Sequence, residues 1–374
     1  MMDRLAQVAL AMTEGLGPTA IRKLLDAYPG EDIFALPAAE LRMAFGNHRA
    51  VVDNLLNKTA FARAEEELRA AEAKHIKVLF FTDEAFPQRL NREECADSPV
   101  LLYALGDADL NARRALAVVG TRKATAYGRD TTERIVKELT ETAEEDKTLV
   151  VSGLAYGIDT MAHKASLEND LPTVAVLGHG LDRIYPAANR SLAERIVHSG
   201  GTLLTEYPMG TAINPRQFPA RNRIIAAMSD ATLVVEASEH GGALITATMA
   251  AGYQRDVFAV PGRLGDTYSC GTNNLIATNK ALLVRSAADI AYQLGWPMKA
   301  ENGEQGTQGE LFPTLPPAEQ KMLELLRKNG SMTIDEIVNL SGLPMPKAAS
   351  LLFNLEMAKA VHVLPGHLYQ AANA

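Results

Sequence analysis

The stretch that decides the fold is residues 231–262, ATLVVEASEHGGALITATMAAGYQRDVFAVPG. Its first part, ATLVVEA, is an apolar run rich in β-branched residues, which is typical of a buried parallel strand. Gly241 and Gly242 follow, residues 243–253 have the periodicity of a helix, and DVFAV predicts a second strand ended by Pro-Gly. A glycine turn between a strand and a helix N-terminus predicts an anion site, because backbone N–H groups converge there and the helix dipole favours negative charge.

The same alternation of strand and helix extends to both sides of this stretch. From residue 116 onward the chain contains the further apolar runs LAVVG, TLVVSG, TVAVLG, GTLLTEY and ALLVRS, which are separated by helical segments. Buried strands joined by helical crossovers predict an α/β fold with a doubly wound, mainly parallel sheet. Short strands in residues 75–90 and 98–107 are expected to extend that sheet at its edge.

The α/β domain is expected to span residues 73–297, with a helical region before it in residues 1–72. The helical region contains GLGPTAIRKLL (residues 15–25), which is either a turn between two packed helices or a helix-hairpin-helix that contacts DNA. Residues 298–317 are polar, contain glycine and end in prolines, which predicts a flexible linker.

The last region, residues 318–374, has the pattern of a winged helix: three helices and then two short apolar strands around Pro365 and Gly366. The third helix would enter the major groove in a DNA-binding member, yet its only basic residues are Lys347 and Lys359. Contact with another protein is therefore as well supported as DNA recognition for this domain.

One group of candidate binding residues lies where the predicted strands end. Sheets of this class bind ligands beyond the carboxyl ends of their strands, where the crossovers change direction. Arg122 is placed to reach a phosphate held at the glycine turns, and the alternative is an exposed arginine at a helix start. The strand-end candidates are Gly120, Thr121, Arg122, Ser152, Gly153, Gly241 and Gly242.

A second group lies in residues 216–225, RQFPARNRII, upstream of the central stretch. No acidic residue occurs between Glu206 and Asp230, so cations dominate this part of the chain. Cations beside an aromatic ring and an amide are suited to hold a phosphate backbone and to stack a base. Alternatively, the phenylalanine belongs to the core and the arginines cap a helix or pair with distant carboxylates. The candidates are Arg216, Phe218, Arg221, Asn222 and Arg223.

Bulk properties restrict the classes of function. A chain of 374 residues predicts about two or three domains, and its net charge of −8 requires any nucleic-acid site to be a local basic patch. No apolar run approaches a membrane span, no signal-peptide pattern is present and two cysteines give no disulfide framework, so a cytoplasmic location is expected. No dinucleotide fingerprint, P-loop or metal-ligand spacing occurs, so neither a cofactor nor a metal nor catalysis is expected.

Seven segments resemble, in this order, the DNA-processing protein A family, DprA or Smf: VGTRKATAYG, VSGLAYGIDTMAH, AVLGHGLDRIYPAANR, TEYPMG, FPARNRII, VVEASEHGGALITATMA and VFAVPG. The strong resemblance covers about residues 116–286. The N-terminus is similar to the family's helical domain of the sterile-alpha-motif type, and the C-terminus to its winged-helix domain. The resemblance implies an extended Rossmann-like domain in a non-enzymatic protein. Such a protein protects incoming single-stranded DNA and loads the RecA recombinase onto it during natural transformation.

The resemblance also implies roles for individual residues. Arg122 matches the arginine of the family's Gly-Ser-Arg motif, with Thr121 in place of the serine, and FPARN matches the segment that holds base and backbone. A homodimer that forms through the Rossmann-like domain is implied as well. Its apolar contact segment matches Leu275, Ile276 and Leu282.

Two other functions remain open at this point. Nucleotide phosphoribohydrolases of the LOG type have a related sheet and place a threonine and a glutamate just after paired glycines. Here Ala243 and Leu244 occupy those positions, and only Glu236, before the turn, could supply the carboxylate. The third possibility is a scaffold whose pocket binds nothing, which single-stranded DNA binding would exclude.

Overall fold

The computed structural model describes residues 2–46, 48–142, 146–298, 316–357, 360–364 and 368–371. The chain divides into two compact units, Met1–Lys299 and Ala300–Ala374. Positions 299–315 of the expected linker lie outside the described residues. None of the described helices combines the length and the apolar character that crossing a membrane requires.

The first unit begins with the helices α1 (Arg4–Met12), α2 (Pro18–Ala27), α3 (Ala38–Phe45), α4 (Arg49–Leu56) and α5 (Phe61–Ala73). Their apolar faces form a core that includes Leu10 and Leu55. Two side chains that follow the predicted hairpin turn contact the region of the sheet: the Thr19 hydroxyl donates to the Ala96 carbonyl (3.1 Å), and the Arg22 guanidinium donates to Asn91 Oδ1 (3.0 Å). This part of the hairpin therefore packs against the sheet domain.

A single sheet organises the rest of this unit. Its strands are β1 (Lys77–Phe80), β2 (Leu101–Gly106), β3 (Ala115–Val119), β4 (Leu149–Ser152), β5 (Thr173–Val176), β6 (Thr202–Thr205), β7 (Ala231–Val234), β8 (Asp256–Ala259) and β9 (Leu282–Leu283). Across the described residues the strand order is β1-β2-β6-β5-β4-β3-β7-β8-β9. Strands β3 to β9 pair in parallel, whereas β1 and β2 are antiparallel. The predicted mainly parallel sheet is confirmed, and the antiparallel strands β1 and β2 extend it on one side, as expected.

Helices cover both faces of the sheet, which explains why its central strands β3 to β7 are buried at every position. One face carries α6 (Ala126–Thr142), α7 (Ile158–Glu168) and α8 (Arg190–His198), and the other carries α9 (Gln217–Ala227), α10 (Gly242–Gly252) and α11 (Cys270–Ala277). The helix α12 (Ala287–Leu294) packs beside α6. Successive side chains of β3 alternate between the two cores: Leu116 and Val118 face α6 and α7, while Ala117 and Val119 face α9 and α10.

The direction of strand addition reverses at β3. From β3 the chain adds β4, β5 and β6 on one side, and then α9 returns it to place β7 on the other side of β3. At such a point the two crossovers leave the sheet on opposite faces, and a crevice opens between them at the carboxyl ends of the strands. The fold therefore positions a binding site at the ends of β3 and β7.

The second unit is a small winged helix, which confirms the predicted fold class. It consists of α13 (Pro317–Asn329), β10 (Met332–Thr333), α14 (Ile334–Ser341), α15 (Met345–Met357), β11 (Val361–Leu364) and β12 (Leu368–Ala371). Leu326, Ile337 and Leu352 are part of its core. Thr333 and Glu336 form a capping box that fixes the start of α14. The strand-to-strand turn expected at Pro365 and Gly366 lies outside the described residues.

Candidate anion-binding site

A pocket of about 390 Å³ opens at the carboxyl ends of β3 and β7. Its walls are the loop after β3, the middle of α9 and the N-terminus of α10. The fold thus brings members of both predicted groups to one place. The predicted residues that line the pocket are Gly120, Thr121, Arg122, Arg221, Asn222, Gly241 and Gly242.

The loop after β3 is held rigidly by its backbone. The Thr121 N–H donates to the Glu236 carbonyl (2.7 Å), and the Ile158 N–H donates to the Thr121 carbonyl (3.2 Å). A Cβ on Gly120 would lie 2.4 Å from the Ile158 side chain, so this close approach requires glycine. The Arg122 side chain that follows is exposed and lines the pocket.

The N-terminus of α10 forms the opposite wall. Gly241 is the N-cap residue, and no described side chain accepts a hydrogen bond from this end of the helix. A Cβ on Gly242 would meet no atom within 4 Å, so the surface over the first turn is open. Backbone N–H groups and the positive end of the helix dipole are therefore available to an anion in the pocket.

Arg221 is a buried cation in the pocket wall. Its side chain is only 4% exposed, and its guanidinium donates to the carbonyl oxygens of Gly153 (2.6 Å) and Val176. Burial lowers the pKa of Arg221 to about 10, with Asp159 opposing the shift and Arg122 adding to it. The group stays positive at neutral pH, and the strand-end carbonyls fix its position.

Asp159 is a pocket residue that the sequence reasoning missed. It lies in the first turn of α7, and its carboxylate accepts a hydrogen bond from the Ala155 N–H (3.3 Å). Burial raises the pKa of Asp159, and the charge of Arg221 opposes this shift. The sequence did contain a signal for this residue: Asp159 is an acidic residue at a helix start, just after the strand-end motif Gly-x-x-x-Gly of residues 153–157. Its carboxylate balances Arg221, which leaves Arg122 as the exposed cation of the described pocket lining.

Ser152 and Gly153 lie beside the pocket and serve the fold. The Ser152 hydroxyl is fully buried and donates to the Val118 carbonyl (2.7 Å), which ties β4 to β3. A Cβ on Gly153 would lie 2.5 Å from the Arg221 guanidinium. The absence of a side chain at Gly153 therefore makes room for the Arg221 guanidinium. Neither Ser152 nor Gly153 lines the pocket.

The other two candidate arginines, Arg216 and Arg223, are not among the residues that line the pocket. Arg223 forms a largely buried ion pair with Glu206, so the alternative of pairing with a distant carboxylate applies to it. Burial raises the pKa of Glu206, and the positive charge of Arg223 opposes that rise. Arg216 is exposed at the N-cap of α9, one turn before the pocket residues of that helix.

Phe218 stands on the rim, half-buried. A Cβ on Gly178 would lie 3.1 Å from its ring, so Phe218 packs closely over that glycine. The Phe218 ring also lies beside Tyr185, with ring centroids 5.4 Å apart. Part of its surface remains accessible next to the pocket.

The three residues matched to a dimer contact differ in exposure. Leu275 is buried in the core of its own chain, and Ile276 packs against that core. Leu282 is 47% exposed and lies on β9, which is an edge of the sheet. Of the three, Leu282 has the side chain that another molecule could cover directly.

Glu236, the carboxylate required by the phosphoribohydrolase alternative, points away from the pocket. Its two oxygens accept hydrogen bonds from the Thr125 hydroxyl (2.5 Å) and the Thr125 N–H (3.0 Å) at the start of α6. A Cβ on Gly128 would lie 2.1 Å from this carboxylate, which therefore occupies the space that this glycine leaves free. Glu236 is a cap for α6 and not a pocket residue.

His163, on α7, is a structural histidine whose surroundings include Arg221. Its Nδ1 lies 2.8 Å from the Thr173 hydroxyl, which itself donates to the Val150 carbonyl, so Nδ1 carries the proton. Burial, reinforced by Arg221, lowers the pKa of His163 to about 3. In the described part of the chain no three His, Cys, Asp or Glu residues are grouped as metal ligands.

Comparison with known proteins adds an independent observation. A family model described as DNA recombination-mediator protein A matches residues 77–295, and one described as the DprA winged helix domain matches residues 311–367. The chain belongs to the DprA/Smf family. The family that the seven collinear segments indicated is thereby confirmed.

Relatives within the DprA/Smf family are spread across bacteria. The DNA processing protein DprA of Streptococcus pneumoniae is 41% identical over 208 residues, which are 56% of this chain and 71% of that protein. Protein Smf of Escherichia coli is 34% identical over 276 residues, with 72% and 71% covered. Protein Smf of a Synechocystis strain is 31% identical over 396 residues, and 97% of each chain is covered.

Two solved DprA structures share the fold. The S. pneumoniae DprA structure superposes with a TM-score of 0.67 at 32% identity, covering 78% of this chain and 99% of that one. A Helicobacter pylori DprA structure, described for its single-stranded DNA binding mode, gives a TM-score of 0.52 at 27% identity and covers 60% and 99%.

Proposed function

We propose that this protein binds single-stranded DNA and delivers it to the RecA recombinase during homologous recombination, including natural transformation. The observation that carries the proposal is the pocket at the switch point of a DprA-type sheet. There an exposed arginine, a buried arginine and an open helix N-terminus converge on one cavity. These groups bind a phosphate and offer no nucleophile–base pair among the pocket residues described.

The chemistry of the pocket favours a single strand over a duplex. Contacts to phosphates carry no sequence information, and a ring such as that of Phe218 can stack a base only if the base is unpaired. Binding is therefore expected to be salt-dependent and largely independent of sequence. A chain with a net charge of −8 must rely on this local cationic site.

RecA is the proposed partner, because the chain belongs to a family described as recombination mediators. Protection of incoming strands and a cytoplasmic location belong to the same proposal. We also propose a homodimer formed through the α/β domain. The exposed Leu282 and Leu283 on the edge strand β9 support it, since apolar side chains beside unpaired backbone groups favour pairing with another chain.

The phosphoribohydrolase alternative is not favoured. Its glutamate would have to be Glu236, and that carboxylate is engaged by Thr125 outside the pocket. Asp159 does line the pocket, yet its charge offsets that of the buried Arg221, and its carboxylate accepts a hydrogen bond from the Ala155 N–H. Family membership agrees with a DNA-binding protein.

The test is a binding titration with fluorescent single-stranded and double-stranded oligonucleotides of equal length, at several salt concentrations. Arg122→Ala should weaken single-strand binding about 5- to 150-fold, the equivalent of roughly 1–3 kcal/mol for one charge-assisted contact. Arg69→Ala, which removes an exposed arginine from α5, is the matched control and should bind like the wild type. Failure of the wild type to bind either strand at low salt would refute the proposal.

A further inference from the structure

Two aromatic side chains, Tyr185 and Phe218, lie together near the proposed phosphate pocket. Tyr185, from the loop after β5, and Phe218, from the first turn of α9, lie with ring centroids 5.4 Å apart and planes inclined by 38°. Tyr185 is 47% exposed, and Phe218 is half-buried. Together the two rings form a ledge at the carboxyl edge of the sheet, which we call the Tyr185–Phe218 ledge.

Contacts hold the Phe218 ring and the backbone of Tyr185 in place. Phe218 packs over Gly178, where a Cβ would lie 3.1 Å from the ring. The Tyr185 N–H donates to Nε2 of His179 (3.2 Å), and Nδ1 of the same imidazole lies 3.0 Å from the Gly180 carbonyl. Because Nε2 accepts an N–H, the ring proton must be on Nδ1, and it is donated to Gly180. His179 is fully buried, so it holds the backbone of Tyr185 in place.

The ledge has the right position relative to the pocket. Phe218 precedes Arg221 and Asn222 by three and four residues on α9, so all three lie on one side of the helix. One helical turn advances about 5 Å, a separation of the order of that between the phosphate and the base of one nucleotide. A strand whose phosphate occupies the pocket would therefore carry its base onto the ledge.

We infer that the Tyr185–Phe218 ledge is a nucleobase-stacking site, in which Tyr185 contacts the base directly and His179 positions Tyr185. The inference rests on the proposed single-strand function and extends it. Beside the base contact that the family resemblance implies for Phe218, it assigns a direct base contact to Tyr185 and a positioning role to His179. An aromatic pair beside a cationic pocket, with Tyr185 47% exposed, offers ring faces on which a base can stack, and stacking discriminates little between bases. The ligand is therefore any unpaired base of the bound strand.

The test uses the full chain and oligothymidylates that carry a single 2-aminopurine at successive positions, whose emission falls when the base stacks. The wild type should quench the probe at one position of the bound register. Tyr185→Leu keeps an apolar side chain but no ring, and it should lose that quenching and bind about 5- to 150-fold more weakly. Tyr185→Phe should retain both properties. Tyr292→Leu, which removes an exposed tyrosine from α12, should behave like the wild type.

The outcomes separate this inference from the proposed function. If Arg122→Ala loses binding while Tyr185→Leu binds and quenches like the wild type, the ledge is refuted and the single-strand function stands. If the wild type binds no single strand, both are refuted. If Tyr185→Leu does not fold, the test uses the wild-type protein and an oligonucleotide that has an abasic residue at the quenched position. A loss of affinity supports the ledge, and unchanged affinity refutes it.

Discussion

At the residue scale, Arg221 shows how one side chain serves both fold and site. Its guanidinium is held by the carbonyl groups of Gly153 and Val176, and it lines the pocket at the same time. Burial of a cation is costly unless polar groups surround it, and here strand-end carbonyls and Asp159 do so. The positive charge is therefore preorganised before any ligand arrives.

His163 gives a pH prediction at the same scale. Its pKa is about 3 in the folded protein and 6.5 in an unfolded chain, so between these values the unfolded state binds more protons. Stability from this residue is complete above pH 6.5 and falls as the pH is lowered, by about 1.4 kcal/mol per pH unit. Urea unfolding from pH 7 to pH 5 should show a shallower loss for His163→Gln than for the wild type.

The exposed His198 provides the control, since His198→Gln should leave the wild-type slope unchanged. Buried acids with a raised pKa, such as Asp159, contribute more to stability as the pH is lowered, which is the opposite of the effect of His163. They are present in the wild type and in both variants, so they do not change the comparison. Equal slopes for wild type and His163→Gln would show that the buried imidazole does not stay neutral.

At the element scale, the edge strand β9 is short, and both of its residues, Leu282 and Leu283, are 47% exposed. A charge placed there should prevent another copy of the chain from covering it. We expect Leu282→Arg to convert the proposed dimer into a monomer, as measured by light scattering, with little effect on thermal stability because the side chain is not in the core.

The matched control for that prediction is Leu264→Arg, which changes a leucine that is 94% exposed in the loop between β8 and α11. It should leave the oligomeric state of the wild type unchanged. A dimeric Leu282→Arg protein, or a monomeric wild type at micromolar concentration, would contradict dimerisation through this edge.

At the scale of the whole molecule, the pocket at the ends of β3 and β7 and the Tyr185–Phe218 ledge both belong to the first unit. In the winged helix, α15 has Lys347 as its one basic residue, and Phe353 is 61% exposed on that helix. Such a surface is poor in the cations that contact phosphates. A chain that ends at residue 298 should therefore fold and bind single-stranded DNA within about threefold of the full-length affinity, a margin under 1 kcal/mol.

Fluorescence anisotropy with the two chains side by side measures this difference, and circular dichroism reports whether the shorter chain is folded. Affinity reduced more than tenfold in a folded shorter chain would place a DNA contact in residues 299–374 instead. An unchanged affinity would leave the winged helix free for another partner.

The sheet could be predicted from the amino-acid sequence, because the spacing of apolar residues within each strand and helix depends on that segment alone. It also placed the candidate residues at strand ends, and parallel strands bring their carboxyl ends to one edge. Gly120, Arg122 and Gly242 could be predicted as pocket residues in this way, since their roles depend on the position along their own segments.

The orientation of the remaining candidate side chains could not be predicted in this way and became visible only in the folded protein. Whether an arginine faces a ligand or a carboxylate depends on residues that folding brings near, as the pair of Arg223 with Glu206 and the place of Arg221 over Gly153 show. Such contacts join residues that are far apart in the chain, so they leave no periodic pattern in the sequence from which they could be predicted. For the same reason the meeting of Tyr185 with Phe218, on elements that follow β5 and β6, could be seen only in the folded molecule.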